Sequence, residues 1–191
     1  MKKLTLSASA ILALSAITSV AQAETFVIDS KHTVARFAID HFGTSTNHGA
    51  FYDLQGQVEF DPAKKTGAVS ITIPIENLDT GIDGFNKHLK SADFFNIEKH
   101  PTAYFKSTKW HFNGNQPSKI DGLLTLLGQT HPITLTATKF NCYDSPMHKA
   151  KTCGGDFETV INRNKWGMDK YSDLKSMQDV KLTIQVEAYK K

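Results

Sequence analysis

Apolar and polar side chains alternate along most of this chain, and a two-residue period commits a segment to β-structure. The clearest run lies near the C-terminus. There Val180, Leu182, Ile184, Val186 and Ala188 interleave with Lys181, Thr183, Gln185, Glu187 and Tyr189. Val69, Ile71, Ile73 and Ile75 form a second apolar row. Pro74, with no amide hydrogen to offer a neighbour, marks an edge or a strand end there. Residues 33–39 put Ala35, Phe37 and Ile39 on one side. Further strands are read at 26–28, 49–60, 102–112, 120–127, 133–141 and 155–161, about eight or nine in all. Asp61-Pro62, Asn113-Gly114 and Cys153-Gly154-Gly155 supply turns between them.

So many short alternating strands make a sandwich or an antiparallel barrel, and strand propensity does not choose between the two. A barrel of about eight strands encloses just enough space for one small ligand, and a helix can plug or line one end. One stretch departs from the strand period. Phe85, His88, Leu89 and Ala92 recur at helical spacing and Phe94-Phe95 follow, so a short helix is expected near residues 84–92. Pro101 keeps that helix from running into the next strand. No internal repeat, low-complexity tract or long linker interrupts the pattern, so one domain is expected.

Residues 1–23 read as a cleaved signal peptide. Met1-Lys2-Lys3 is a basic start, 4–20 is apolar or small, and Ala21-Gln22-Ala23 has the small-x-small pattern of a cleavage site. The run is short, rich in Ser and Thr, and lacks a basic flank, which argues against a membrane anchor. The expected mature domain is 24–191, exported to a periplasm, with no stable membrane insertion. The whole chain carries a net charge of +3. Loss of Lys2 and Lys3 brings the mature part close to neutrality, which argues against a nucleic-acid partner. Cys142 and Cys153 are the two cysteines. An even pair in an oxidising compartment reads as a disulfide, and the spacing is far from the C-x-x-C of a redox pair. The residues between them, including Pro146, read as an excursion from one strand to the next.

Chemistry-bearing motifs are sparse. The eight His form neither H-E-x-x-H nor a Cys/His cluster, so no metal site is expected. No G-x-S-x-G elbow, G-x-G-x-x-G or P-loop is present, which leaves acyl-transfer catalysis and nucleotide cofactors without support. The twelve Phe point elsewhere. For any single Phe, plain core packing is the default. Phe85, Phe94 and Phe95, however, fall in the segment that is not strand, where a plug or lid would turn apolar residues toward a ligand.

Four blocks of sequence go further. The first is Phe26-Val-Ile-Asp-Ser-Lys-His-Thr-Val-Ala-Arg-Phe37, with His41-Phe-Gly43 and Gly49-Ala-Phe51. The second is Asp79-Thr-Gly81 with His88-Leu-Lys-Ser-Ala-Asp-Phe-Phe95, and the third Pro101-Thr-Ala-Tyr-Phe105 with Ser107-Thr108. The fourth is Gly122-Leu-Leu-Thr-Leu-Leu-Gly-Gln-Thr-His-Pro-Ile-Thr-Leu135. In this order they resemble the YceI-like family of periplasmic, polyisoprenoid-binding, lipocalin-like proteins, over nearly all of 24–191. Relatives often carry an Arg-Asp pair where this chain has Phe85 and Asn86, so no head-group contact of that Arg is carried over.

The resemblance implies an all-β fold: an extended, antiparallel, eight-stranded, lipocalin-like barrel around a long apolar ligand. It implies a binding or carrier protein rather than an enzyme, with no required cofactor. Its ligand would be a polyprenyl lipid or an isoprenoid quinone such as ubiquinone. The expected wall comprises Phe37, Phe42, Phe51, Phe85, Leu89, Phe94, Phe95 and Phe105, with Leu124, Leu126, Trp166 and Met168. His88 is placed at the mouth, facing a head group or packing, and Asp93 is read as a local hydrogen-bonding residue near the helix end. Two other readings stay open: an enzyme acting on a lipid or quinone through His88 and Asp93, and a stress-related interaction protein. A homodimer is compatible with apolar edge and mouth surfaces, although no stretch marks an interface.

Overall fold

The computed structural model describes residues 23–191, so the expected signal peptide at 1–23 lies almost wholly outside the described residues. Eleven strand segments, β1 (Glu24–Ile28), β2 (Val34–His41), β3 (Ser45–Phe51), β4 (Gln55–Asp61), β5 (Thr66–Pro74), β6 (Leu78–Asp79), β7 (Thr102–Asn113), β8 (Gln116–Leu126), β9 (Gln129–Ser145), β10 (Ala150–Asn162) and β11 (Asp179–Lys190), join one antiparallel sheet. One α-helix, α1 (Asp83–Lys90), sits between β6 and β7. Both β1 and β2 pair with β11, both β3 and β4 continue one line, and so do β5 and β6. The eleven segments are therefore eight strands, three of them interrupted, and the pairing of β1 with β11 closes the barrel. The strand at 49–60 expected from the sequence is broken at Tyr52–Leu54 for this reason.

Closure is maintained across one interruption by a side chain. Where the chain leaves β11 between β1 and β2, the buried Thr33 hydroxyl accepts from the Glu187 amide and donates to the Glu187 carbonyl, both at 3.1 Å. The hydroxyl gives the Glu187 amide its acceptor, while the Glu187 carbonyl also accepts from the Asp29 amide at 2.9 Å.

The meander gives the barrel two unlike ends. The tight turns at 62–65, 114–115 and 146–149, with the start of β1, lie at one end. The β2–β3 turn, α1 and the irregular strap at 163–178 lie at the other. Rings fill the first end. Phe60 has Phe140, Trp110 and Phe112 around it at centroid distances of 5.4, 6.0 and 6.4 Å. Irregularities in the ladder bring them there. On β7 the register shifts between Ser107 and Lys109, and against β9 it shifts at Asp156/Phe157, skipping Thr138. Each extra residue exchanges inner and outer faces, so Ala103 and Phe105 point inward before the first bulge and Trp110 and Phe112 after it. Gly67 leaves the room Trp110 needs, since a Cβ there would come within 2.4 Å of the indole.

Cys142 and Cys153 form a disulfide between directly paired residues of β9 and β10, with Cα atoms 4.0 Å apart. The chain between them is a plain hairpin rather than an excursion from the sheet. Beside it, the buried carboxylate of Asp29 holds His32 Nδ1 and His148 Nε2, each 2.8 Å from Oδ2. His148 also stacks on Tyr189 at 4.1 Å, which fastens the β9–β10 turn to the barrel.

Candidate functional site

The end opposite the ring cluster is hollow. A cavity of about 380 Å³ extends inward from it, within the range of small-molecule sites. Its wall follows from strand parity: Ala35, Phe37 and Ile39 of β2, Leu124 and Leu126 of β8, and Val180 and Leu182 of β11 turn their apolar sides inward. Phe37 and Phe51 meet at 5.9 Å, and Phe51 meets Phe95 edge-on at 5.3 Å.

Helix α1 and the turn after it supply the rest. The helix has no side-chain cap at Ile82, and its start is fixed by the preceding turn instead. Asn86 accepts from the Thr80 amide and hydroxyl at 2.7 Å and donates to Asp79 at 2.8 Å. The Gly81 amide, followed by Asn86, holds the Asp79 carboxyl below its usual range. Asn86 thus organises the Asp79-Thr80-Gly81 turn, and Phe85 faces the cavity. After Lys90 the chain folds back: the Phe95 amide donates to the Leu89 carbonyl at 2.9 Å and the Ile97 amide to Lys90 at 3.1 Å. Those bonds direct Phe94 and Phe95 into the opening beside Leu89. His88 lies on the wall with its ring 4.8 Å from Phe94.

Of the residues expected in the wall, Phe37, Phe42, Phe51, Phe85, His88, Leu89, Phe94, Phe95, Leu124, Leu126 and Met168 border the cavity. Two do not. Phe105 is buried with its ring over the bare backbone of Gly122, where a Cβ would come within 2.4 Å of it. Trp166 is 1% exposed, and its Nε1 donates to the Leu124 carbonyl at 3.0 Å. Its indole belongs to the buried core and fastens the strap to β8. Asp93 also departs from expectation. It is exposed and pairs with Lys170 of the strap at 3.2 Å, so it joins the helix turn to the strap rather than bonding within the turn. No hydrogen bond joins it to His88 among the described residues.

Tyr171, Met177, His41, Asn47 and Arg163 also line the cavity and were not expected there. Nothing in the sequence separates Arg163 from a surface arginine; only the folded strap encloses it. Among the described residues no cluster of three His, Cys, Asp or Glu side chains is placed to hold a metal ion. No described helix is long and apolar enough to cross a membrane. A groove of about 390 Å³ on the outer face of β9–β11 is lined by polar side chains such as Lys139, Asp156 and Glu187 and lacks the enclosure of the inner cavity.

A closed eight-stranded wall, a filled end and an apolar hollow under a helix and a strap define a lipocalin-like barrel. The chain belongs to the YceI-like family, whose domain model matches residues 26–188. It is 35% identical over 173 residues to a UPF0312 protein of Azotobacter vinelandii, covering 87% of this chain and 88% of that one. A UPF0312 protein of Vibrio cholerae is 38% identical over 140 residues, covering 72% and 74% respectively. Among solved structures, the Campylobacter jejuni YceI protein superposes with a TM-score of 0.71 at 28% identity, over 80% of this chain and 90% of that one. A polyisoprenoid binding domain from Saccharophagus degradans shares the fold with a TM-score of 0.61 at 12% identity, over 87% and 98%.

Proposed function

We propose that this protein sequesters a long apolar isoprenoid ligand, a polyprenyl lipid or an isoprenoid quinone, in the hollow end of its barrel. The observation that carries this reading is the cavity itself, walled by Phe37, Phe51, Phe94 and Phe95 and opening between α1 and the strap. Each buried methylene is worth roughly 0.8 kcal/mol, so an isoprenoid tail offers ample affinity after the cost of association. The polyisoprenoid binding domain of Saccharophagus degradans, which has this fold, supports an apolar ligand. The task is binding, without a required cofactor; His88 and Asp93 have separate partners, which favours this over an enzymatic reading. The disulfide is in keeping with an extracytoplasmic, periplasmic location after removal of 1–23.

The test is extraction of the purified protein with organic solvent followed by mass spectrometry. A prenyl lipid or quinone in the extract supports the reading. Absence of any apolar ligand, together with failure of the stripped protein to take up prenyl lipids or quinones, sinks it.

A further inference from the structure

The groove of about 390 Å³ on the outer face of β9–β11 lies on the opposite side of the wall from the apolar hollow. Its shape follows from the register. Asn141 and Glu187 flank Gly154, and Lys139 and Gln185 flank Asp156. Tyr143, two residues beyond Asn141 on β9, closes the end away from Asp156. The strands approach so closely here that a Cβ on Gly154 would come within 2.3 Å of the Val186 carbonyl oxygen, and one on Gly155 within 2.2 Å of the Lys139 carbonyl oxygen. Bare backbone is therefore the floor, with polar side chains on both sides.

Some of these side chains are held in place. The Tyr143 hydroxyl donates to Glu187 Oε2 at 3.1 Å, which fixes a half-exposed ring at the end of the trough. Gln185 donates to the His32 carbonyl at 3.0 Å and accepts from Arg36 at 3.3 Å. The others are uncommitted. Lys139 and Asp156 stand directly opposite in the ladder, yet among the described residues they form no ion pair, whereas Lys181 and Glu158 on the same face pair at 3.2 Å. The Asn141 amide likewise has no side-chain hydrogen bond among the described residues. An ammonium, an amide and a carboxylate thus border one trough without satisfying each other.

We propose that this trough is a second binding site, for a neutral oligosaccharide, with one sugar ring against Tyr143 and hydroxyls on Asn141, Lys139 and Asp156. A sugar hydroxyl both donates and accepts, which matches a wall that offers donors, acceptors and an amide with both. The flat C–H face of a pyranose suits an aromatic ring whose polar tip is already bonded. Two carboxylates, Asp156 and Glu187, against the single ammonium of Lys139 disfavour a phosphate or nucleic acid, and no apolar wall is present for a lipid tail. Four residues of β9 separate Tyr143 from Lys139, about 13 Å at strand rise, which is the length of a few linked rings rather than of one.

Nitrogen–proton correlation spectra of the purified protein, titrated with cellotriose, maltotriose and triacetylchitotriose, test this. At least one trisaccharide is expected to shift the Gly154 and Gly155 amides, with a Kd on the order of 1 mM as an open, wet site gives. The leading sugar identifies the linkage. Tyr143→Ala and Asp156→Ala are each expected to weaken it about tenfold or more, while Tyr143→Phe, which keeps the ring, stays within about threefold. The proposal is overturned if none of the three sugars moves these amides at about 10 mM, since a site of the expected strength would then be mostly filled. It is overturned equally if the shifts fall elsewhere on the barrel, or if Tyr143→Ala binds as well as Tyr143→Phe.

Discussion

Phe42 and Tyr171 face each other across the mouth of the barrel, with ring centroids 6.4 Å apart, and both hold left-handed backbone conformations, at φ 56° and 61°. Phe42 belongs to the β2–β3 turn and Tyr171 to the strap, so the contact spans two elements far apart in sequence. Side chains of this bulk seldom adopt positive φ, and each such residue costs on the order of 1 kcal/mol or more. Both rings are also well exposed, at 55% and 42%. The fold thus carries local strain to keep two rings at the opening.

Replacing Phe42 with glycine should therefore separate stability from access. Glycine adopts the same φ without strain, so the melting temperature is expected to hold or rise slightly, while a bound fluorescent prenyl probe exchanges faster. Stopped-flow displacement reads the second effect; unchanged exchange would show that the ring pair does not restrict the mouth.

Phe94 packs on His88 and borders the cavity. An aspartate at 94 puts a charge into an apolar wall, so Phe94→Asp is expected to abolish uptake of a prenyl probe. His88→Ala, which removes a ring from the rim but adds no charge, should weaken uptake only modestly. Equal retention of binding by both variants would remove this part of the wall from the site.

Trp166 offers the opposite signature. It is buried and hydrogen-bonded but lies outside the lining, so Trp166→Ala is expected to cost about 3–5 kcal/mol in urea unfolding. A loss below about 1 kcal/mol would mean that the indole does not anchor the strap.

At the filled end, pH should act through Asp29. Burial pushes its carboxyl up, but the hydrogen bonds from His32 and His148 outweigh this and bring it down to about 2. The same contact with Asp29 raises the His32 imidazole above its ordinary 6.5. A lowered carboxylate stabilises the fold above its ordinary 3.8 and loses that contribution as pH falls toward 2. A raised imidazole stabilises below 6.5 and loses its contribution as pH climbs through the higher folded value. The stability lost in Asp29→Asn should therefore be largest between about pH 4 and 6.5 and shrink on either side. A difference that stays flat across that range and beyond would exclude the linkage.

The disulfide closes a ring with a sequence separation of 11. Replacing both cysteines by serine is expected to cost roughly 2–3 kcal/mol, chiefly by freeing the unfolded chain. Chemical denaturation of the variant measures this, and peptide mapping without reductant should recover Cys142 linked to Cys153.

Much of this barrel was legible in the sequence because the facing of a strand residue is a local property. The inward row Val180, Leu182, Ile184, Val186 and Ala188 packs against the core as its two-residue period requires, and α1 falls where the helical spacing of Phe85, His88 and Leu89 puts it. Residue resemblance carried the rest of the family and fold reading. What no local period contains is which part of the interior is filled. The bulge at Ser107/Lys109 turns Trp110 and Phe112 inward at the height of Phe60 and Phe140, so those rings occupy one end and leave the other hollow. The same three-dimensional fit lays Phe105 over Gly122, fastens the buried Trp166 to Leu124, and encloses Arg163 beneath the strap. The sequence by itself determined the faces, the helix and the pairing of its two cysteines. Only the tertiary structure decided which faces meet each other and which meet empty space, because that depends on side chains brought to the same height from strands distant in the chain.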